Sequence, residues 1–395
     1  MVFSGLSAFD LVLPRKIVFG WGRRHVLRDE LPRVGKRVFT VLGSRTLETT
    51  HFVDELRDLV NGAGLKWQLV GRIDHEPTID DVDQIAALVR DLKGGPGDVM
   101  LAVGGGSALD LAKAVAALTT NNEGESVRDY LENVGRGLKL VNPPLPVVAM
   151  PTTAGTGAEA TRNAVISSYD PPFKKSLRDD RIMPILAVID PELTVSNPRH
   201  VTAAAGMDAI TQLIESFVTV RRRPIPQALA PQALQIAFRC LPQAFEEPTN
   251  QTAREGMAFA ALVSGICLAN SGLGLAHGVA ASLGVVARVP HGLACALMLP
   301  VALEVNRTVC RSELAHLAKV AFERNFANDD EAVDQLISEV RDLQAKLEIP
   351  DRLSKLGIQR DNIPAIVRGS HGSSMSGNPR QLTDDELFRI LEAIF

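Results

Sequence analysis

The sequence predicts a chain in two parts: an α/β first part built on a parallel, Rossmann-like sheet, and an all-α second part. Three observations carry this. Short apolar runs alternate with helix-period segments through the first half, the pattern of βαβ units in a doubly wound sheet. One of those runs ends directly in Gly104-Gly105-Gly106-Ser107, a strand-to-helix turn of the kind that receives anions. From Gly206 onward the chain reads as helix-rich, and 395 residues are more than one compact core holds. The break is expected near residue 193, where Asp190-Pro191 and Ser196-Asn197-Pro198 supply loop chemistry. That divides the chain into 1–192, an α/β domain, and 193–395, an all-helical domain.

Taken in order, residues 38–42 form a short β-branched and apolar run, 47–61 have helical spacing, and 66–70 are again strand-like. Residues 79–92 read as an amphipathic helix, with Ile79, Val82, Ile85, Leu88, Val89 and Leu92 on one side. The run 98–103 is continuously apolar after Asp98, as in a strand buried on both faces. The glycines that follow it precede a helix over 108–118 that contains Asp110 and Lys113. Backbone amides freed by glycine, together with the helix N-terminus, suit a phosphate or pyrophosphate; a plain tight turn reads the same way. The spacing is neither the Walker pattern nor Gly-x-Gly-x-x-Gly. A second such turn, Pro151-Thr152-Thr153-Ala154-Gly155-Thr156-Gly157-Ala158-Glu159, follows the apolar run 145–150. Its hydroxyls suit a ribose, a phosphate or a nicotinamide edge, and the Thr156–Glu159 spacing also suits a capped helix start.

Composition narrows the class. A hydrophobic share of 46% with 22% charged residues is that of an ordinary soluble globular protein. With net charge −4 and basic residues scattered apart from Arg221-Arg222-Arg223, no footprint for nucleic acid is expected. The triplet precedes Pro224 and Pro226 and reads as a solvated helix end or loop. The apolar passages 258–269 and 293–303 fall short of the roughly 20 residues a membrane helix needs, and no secretory signal is recognisable. Cys240, Cys267, Cys295 and Cys310 lack Cys-x-x-Cys spacing and read as small core residues of a reduced, cytoplasmic protein.

The apolar stretch 272–300 carries two histidines, His277 and His291. Imidazole in such a setting is either hydrogen-bonded in the core or bound to a metal, because an unpaired buried polar group costs a few kcal/mol. The remaining histidines, His25, His51, His75, His200, His316 and His371, have polar or mixed neighbours and read as surface residues. Asp208 and Gln212 lie four apart on a predicted helix, hence on one face. The tail, Ser376-Gly-Asn-Pro-Arg380 and then an amphipathic 383–394, reads as a loop and a closing helix.

These stretches together resemble the iron-containing, or group III, alcohol dehydrogenase family, which shares its fold with dehydroquinate synthase. The resemblance is carried by Gly-Gly-Gly-Ser with Asp110 and Lys113, the 151–159 loop, Gly206-Met207-Asp208-Ala209, the 272–278 segment and Pro290-His291-Gly292, in the family's order. It implies hydride transfer between NAD(P)(H) and a small alcohol or aldehyde, assisted by a divalent metal, Fe²⁺ or Zn²⁺. The family's metal ligands map onto Asp208, His277 and His291, also the catalytic centre, and onto Gln212, where the family carries histidine. An amide oxygen there is a weaker neutral donor, and catalytic zinc commonly uses three protein ligands. One turn after His277, Ala281 replaces a second histidine of many members, which removes an obvious general base and widens the pocket.

By the same resemblance Gly104, Gly105, Gly106, Ser107, Asp110, Thr152, Thr153 and Thr156 bind the dinucleotide, with Lys174 or Lys175, on an expected turn, near it. Gly43 stands where NAD-specific members carry an aspartate for the ribose. Its lack of a carboxylate, with Ser44 and Arg45 beside it, favours NADP over NAD. Two alternatives remain: a metal-independent reductase of this fold, comparable to maleylacetate reductases, and a nucleotide-binding protein without catalysis. The apolar content of the helical half suits a homodimer or larger assembly.

Overall fold

The computed structural model describes residues 8–43 and 51–395; Ser44 and Arg45 lie outside the described residues. The chain forms two compact units. One consists of Leu13–Thr153 and Ala158–Ser196, the other of Ala154–Gly157, Asn197–Phe395 and the described part of Met1–Val12. The units are therefore interleaved in sequence rather than divided at one residue.

In the first unit, the described residues form a six-stranded parallel sheet from β1 (Lys16–Phe19), β2 (Arg37–Leu42), β3 (Lys66–Arg72), β4 (Asp98–Gly104), β5 (Val147–Pro151) and the last strand, Leu186–Ile189. A two-stranded antiparallel hairpin, β6 (Asn163–Tyr169) and β7 (Pro172–Arg178), precedes that last strand, which is β8. The sheet order is β1-β8-β5-β4-β2-β3. From β2 the chain steps outward to β3, then returns to place β4 on the opposite side of β2. The adjacent pair β2 and β4 is thus the point where the winding reverses, and in open α/β sheets the ligand crevice lies outside the carboxyl ends of such a pair.

Side-chain alternation explains the layers. On β2, Phe39 and Val41 face a core shared with α3 (Ile79–Asp91) and α4 (Gly106–Thr120). Val38 and Leu42 face the opposite core, shared with α1 (Leu27–Val34) and α2 (Phe52–Gly62). Buried on both faces, β4 has no exposed residue, as its continuous apolar run predicts. Arg37 and Asp98 stand opposite each other at the entry of β2 and β4, 2.7 Å apart, fixing the register of that pair. Helix α3 starts on a capping box formed by Thr78 and Asp81.

The second unit is helical: α5 (Arg199–Val218), α6 (Pro224–Glu246), α7 (Gln251–Ala269), α8 (Leu275–Ala287), α9 (His291–Asn306), α10 (Arg311–Ala321), α11 (Asp329–Lys346), α12 (Ile363–Ser370) and α13 (Asp384–Ala393). Helix α5 begins before Gly206 and is buried on all sides from Gly206 to Val218, the mark of a central helix. Helix α7 has the length and apolarity of a membrane span, but 72% of that window is buried inside the protein, so it serves as a core helix. The loop Ala154–Gly157 packs on the helical unit through its glycines. Gly157 has φ 61°, and a Cβ there would lie 2.5 Å from Gly265 Cα on α7; only glycine supplies both the conformation and the space. No long helix starts after this loop: a 3₁₀ turn, Ala158–Ala160, leads into β6.

Candidate active site

Helix α5 places Asp208, Gln212 and Glu215 along one stripe, and all three are buried. Unpaired carboxylates are excluded from such an interior, so each acid needs a partner. Glu215 finds several at the start of α8. Its oxygens accept the backbone N–H groups of Gly274 at 3.0 Å and Ala276 at 2.7 Å, and His277 Nδ1 lies 2.7 Å away. The carboxylate therefore caps a helix N-terminus, where negative charge is favoured, and receives the Nδ1 proton of His277. Asn378 Oδ1 takes the Leu275 N–H at 3.0 Å, and Asn378 and Asn306 pair their amides at 2.9 and 3.0 Å. The loop at 376–380 is thus part of the support for α8.

With Nδ1 committed to Glu215, His277 presents Nε2 to Asp208 Oδ1 at 3.2 Å. His291, the first residue of α9, brings its own Nε2 to 3.9 Å from the same oxygen. The two imidazole rings stand 5.5 Å apart, edge to face. One turn further along α9, Cys295 Sγ lies 3.8 Å from His291 Nε2. One donor atom from each of Asp208, His277, His291 and Cys295 lies within 4.8 Å of all the others. A carboxylate oxygen, two imidazole nitrogens and a sulphur aimed at one point fit a divalent transition metal.

Electrostatics follow from burial. Burial alone would raise the Asp208 carboxyl, but His291 and the hydrogen bond from His277 overcome it and hold Asp208 below the usual carboxylate range. Burial likewise opposes a charged His277, yet the acceptors around it, Asp208 and Glu215 among them, leave it well above its ordinary value. Burial pushes the Cys295 thiol up to about 12, so the sulphur is protonated unless a cation lies beside it.

Gln212 is buried one turn from Asp208, as its spacing predicts, but its Oε1 accepts from Ser264 Oγ at 2.9 Å. Ala281 lies half-buried on α8.

In the sheet unit, the carboxyl ends of β2, β4 and β5 bring Gly43, Gly104 and Thr152 together. Gly43 N donates to Val103 O at 2.7 Å and Thr152 N to Gly104 O at 2.9 Å. Gly104 has φ 155°, and a Cβ on it would lie 2.8 Å from Gly43 Cα, so the close approach of the two backbones requires glycine at 104. Helix α4 starts at Gly106 with Gly105 as its N-cap and no side chain bonded to that end. Ser107 is in its first turn. A Cβ on Gly105 would meet Thr153 Oγ1 at 3.3 Å.

Asp110 and Lys174 are engaged with the protein. Asp110 accepts the Val165 N–H at 3.0 Å and lies 3.4 Å from Lys113 Nζ, which also donates to Thr161 Oγ1 at 2.9 Å and Asn163 O at 3.0 Å. This buried group ties α4 to the β6–β7 hairpin. Lys174 is not on a turn: it lies within β7, nearly buried, and pairs with Glu76 at 2.6 Å.

Three further residues differ from their sequence reading. Cys295 is more than core packing, since its sulphur joins the donor set. Glu215 carries no motif of its own in the sequence, and its one signal is that it follows Asp208 by two helical turns on the same stripe. His316 is half-buried and stacks on Phe217 at 5.8 Å.

The family model for iron-containing alcohol dehydrogenase matches residues 14–191, and that for the C-terminal part of the Fe-containing alcohol dehydrogenase family matches 202–395. An NADPH-dependent butanol dehydrogenase of Clostridium saccharobutylicum is 32% identical, covering 97% of each chain. An NAD-dependent methanol dehydrogenase of Bacillus methanolicus is 28% identical, covering 97% of this chain and 99% of its own. The crystal structure of a 1,3-propanediol oxidoreductase superposes with a TM-score of 0.91 at 27% identity, covering 98% of this chain and 100% of that one. The chain belongs to the iron-containing alcohol dehydrogenase family. It is an NAD(P)-dependent oxidoreductase that interconverts alcohols and aldehydes, in a family that works with iron or a similar divalent metal.

Proposed function

We propose that Asp208, His277 and His291 hold the divalent ion of this reaction, and that the crevice at the carboxyl ends of β2 and β4 takes the dinucleotide. One observation carries the reading: the three ligand atoms converge within a buried site while His277 is locked by Glu215. A bound ion supplies Lewis acidity that favours the alkoxide of the alcohol or polarises the aldehyde carbonyl. The dinucleotide supplies the hydride acceptor or donor at nicotinamide C4.

The residues of the chain do the rest. Glu215 holds the Nδ1–H of His277, so Nε2 is the atom that would give its lone pair to an ion once its proton is displaced. Asp208 supplies the negative charge a dication needs in a buried place. The uncapped start of α4, with Gly104, Gly105, Gly106 and Ser107, offers backbone amides to a pyrophosphate, and Thr152 and Thr153 offer hydroxyls. With alanine at position 281, no imidazole stands there to move the proton.

NADP(H) is the favoured dinucleotide, because Gly43 brings no carboxylate against a 2′-phosphate. The butanol dehydrogenase relative is NADPH-dependent and the methanol dehydrogenase relative NAD-dependent, so the choice rests on this chain's own residues. A small alcohol or aldehyde as substrate, a homo-oligomeric assembly and a cytoplasmic setting complete the reading. The four cysteines are unpaired in disulfides, which suits a reducing compartment.

Oxidation of NADPH and NADH with a panel of short aldehydes and maleylacetate, before and after chelation, tests this. Turnover of an aldehyde that chelation abolishes and Zn²⁺ or Fe²⁺ restores is the expected result. Turnover of maleylacetate unaffected by chelation assigns a metal-independent reductase instead, and tight nucleotide binding without turnover removes the catalytic reading.

A further inference from the structure

We propose that Cys295 is a fourth metal ligand in this chain, filling the place left without an imidazole at Gln212, and that its thiolate makes the site prefer zinc to iron. The inference rests on the metal reading of Asp208, His277 and His291 above. Ligands held at zinc distances in a tetrahedron are about 3.3–3.8 Å from one another. Asp208 to His277 is 3.2 Å, Asp208 to His291 is 3.9 Å and His291 to Cys295 is 3.8 Å. All four donors lie within 4.8 Å of one another, so small side-chain adjustments complete the shell.

The alternative fourth ligand, Gln212 Oε1, accepts from Ser264 Oγ at 2.9 Å, a hydrogen bond that competes with a metal for that oxygen. Cys295 is placed by the same helix as His291 and one turn after it, so both reach toward the same point. The other fully buried cysteines do not share this position. Cys267 Sγ points to Pro226 O at 3.7 Å, and Cys310 packs in the helical core.

The chemistry of the set follows from its donors. On metal uptake the thiol proton leaves to solvent and the sulphur binds as thiolate. Thiolate with carboxylate cancels the charge of a dication, whereas one carboxylate with three neutral ligands leaves a net positive centre. Soft sulphur favours zinc and cobalt over iron(II) when combined with imidazole.

Cobalt(II) loading of the full chain reads this directly. The expected result is ligand-field bands of a low-symmetry site plus an intense sulphur-to-cobalt charge-transfer band in the near ultraviolet. That band should persist in Cys267→Ser and vanish in Cys295→Ser, whose ligand-field bands remain. Ligand-field bands without charge transfer in the unaltered chain overturn the role of Cys295 and leave the metal site standing. No cobalt spectrum at all overturns both readings. A measurement independent of any variant is zinc K-edge absorption of the unaltered protein. It should show one sulphur scatterer at about 2.3 Å, and a shell of nitrogen and oxygen alone contradicts the proposal.

Discussion

Glu215 holds His277 Nδ1 at 2.7 Å while also accepting two backbone amides at the start of α8. One carboxylate thus sets both the helix entry and the imidazole tautomer. In Glu215→Gln the amide oxygen can still accept from Nδ1, but the negative charge is lost and the NH2 group faces the Ala276 N–H, so the hold on the ring weakens. Metal affinity should fall by about 10–100-fold, the usual cost of losing such a partner, measured by competition with a chromogenic chelator. Unchanged affinity would mean that His277 does not ligate through Nε2.

Gln212 lies one turn from Asp208 with its oxygen on Ser264. Gln212→His places an imidazole on the same stripe of α5. Iron(II) should then bind more tightly, by about tenfold or more if one new coordinate bond contributes even ~1.4 kcal/mol. Equilibrium dialysis of both proteins against Fe²⁺ and Zn²⁺ reads the change. An unaltered iron affinity would show that the side chain at 212 does not reach the site.

Gly43 touches Gly104, and a Cβ at position 43 would sit 3.0 Å from Gly104 Cα, a tight but small intrusion. Gly43→Asp adds a carboxylate at the end of β2, where it repels a 2′-phosphate and can hold a ribose hydroxyl. The ratio of kcat/KM for NADPH to that for NADH should fall by about tenfold, equivalent to ~1.4 kcal/mol. A fall in both values with no change in their ratio would count against a 2′-phosphate at this place.

Glu159 is buried, and burial pushes its carboxyl up to about 7 from an ordinary value near 4.5, against the opposing pull of a backbone hydrogen bond and Lys113. The folded chain therefore binds a proton at this group that the unfolded chain has already lost between pH 4.5 and 7. Stability from this group falls as pH rises through that window, by on the order of 3 kcal/mol once ionised. Glu159→Gln should flatten the dependence. The urea midpoints of the two proteins should converge near pH 5 and separate above pH 7, with the variant the more stable. Parallel curves would contradict the buried titration.

Much of the architecture was legible because strand and helix leave different periods in the chain. The runs ending at Leu42 and Val103 were visible as strands, and Asp208 with Gln212 as one face of a helix. The supporting residues were not. Glu215 meets its amide partners 59 and 61 residues further along, a closure no local pattern encodes. Cys295 stands in an apolar run where a thiol looks like core, and only its single-turn offset from His291 hints at more. Lys174 and Lys175 suggest a turn by sequence, whereas the hairpin turns just before them and the strand carries Lys174 to Glu76. The segment Ala154–Gly157 joins the helical unit because glycines let it meet Gly265, a contact equally invisible in sequence.

Metal binding by Asp208, His277 and His291 is the central proposal. Its most direct test is the zinc stoichiometry of the metal-stripped chain and of Asp208→Asn and His291→Ala, titrated calorimetrically. One tightly bound ion per unaltered chain, with binding weakened by orders of magnitude in both variants, is the predicted result. Equal zinc binding by all three proteins, or none by the unaltered chain, would contradict it.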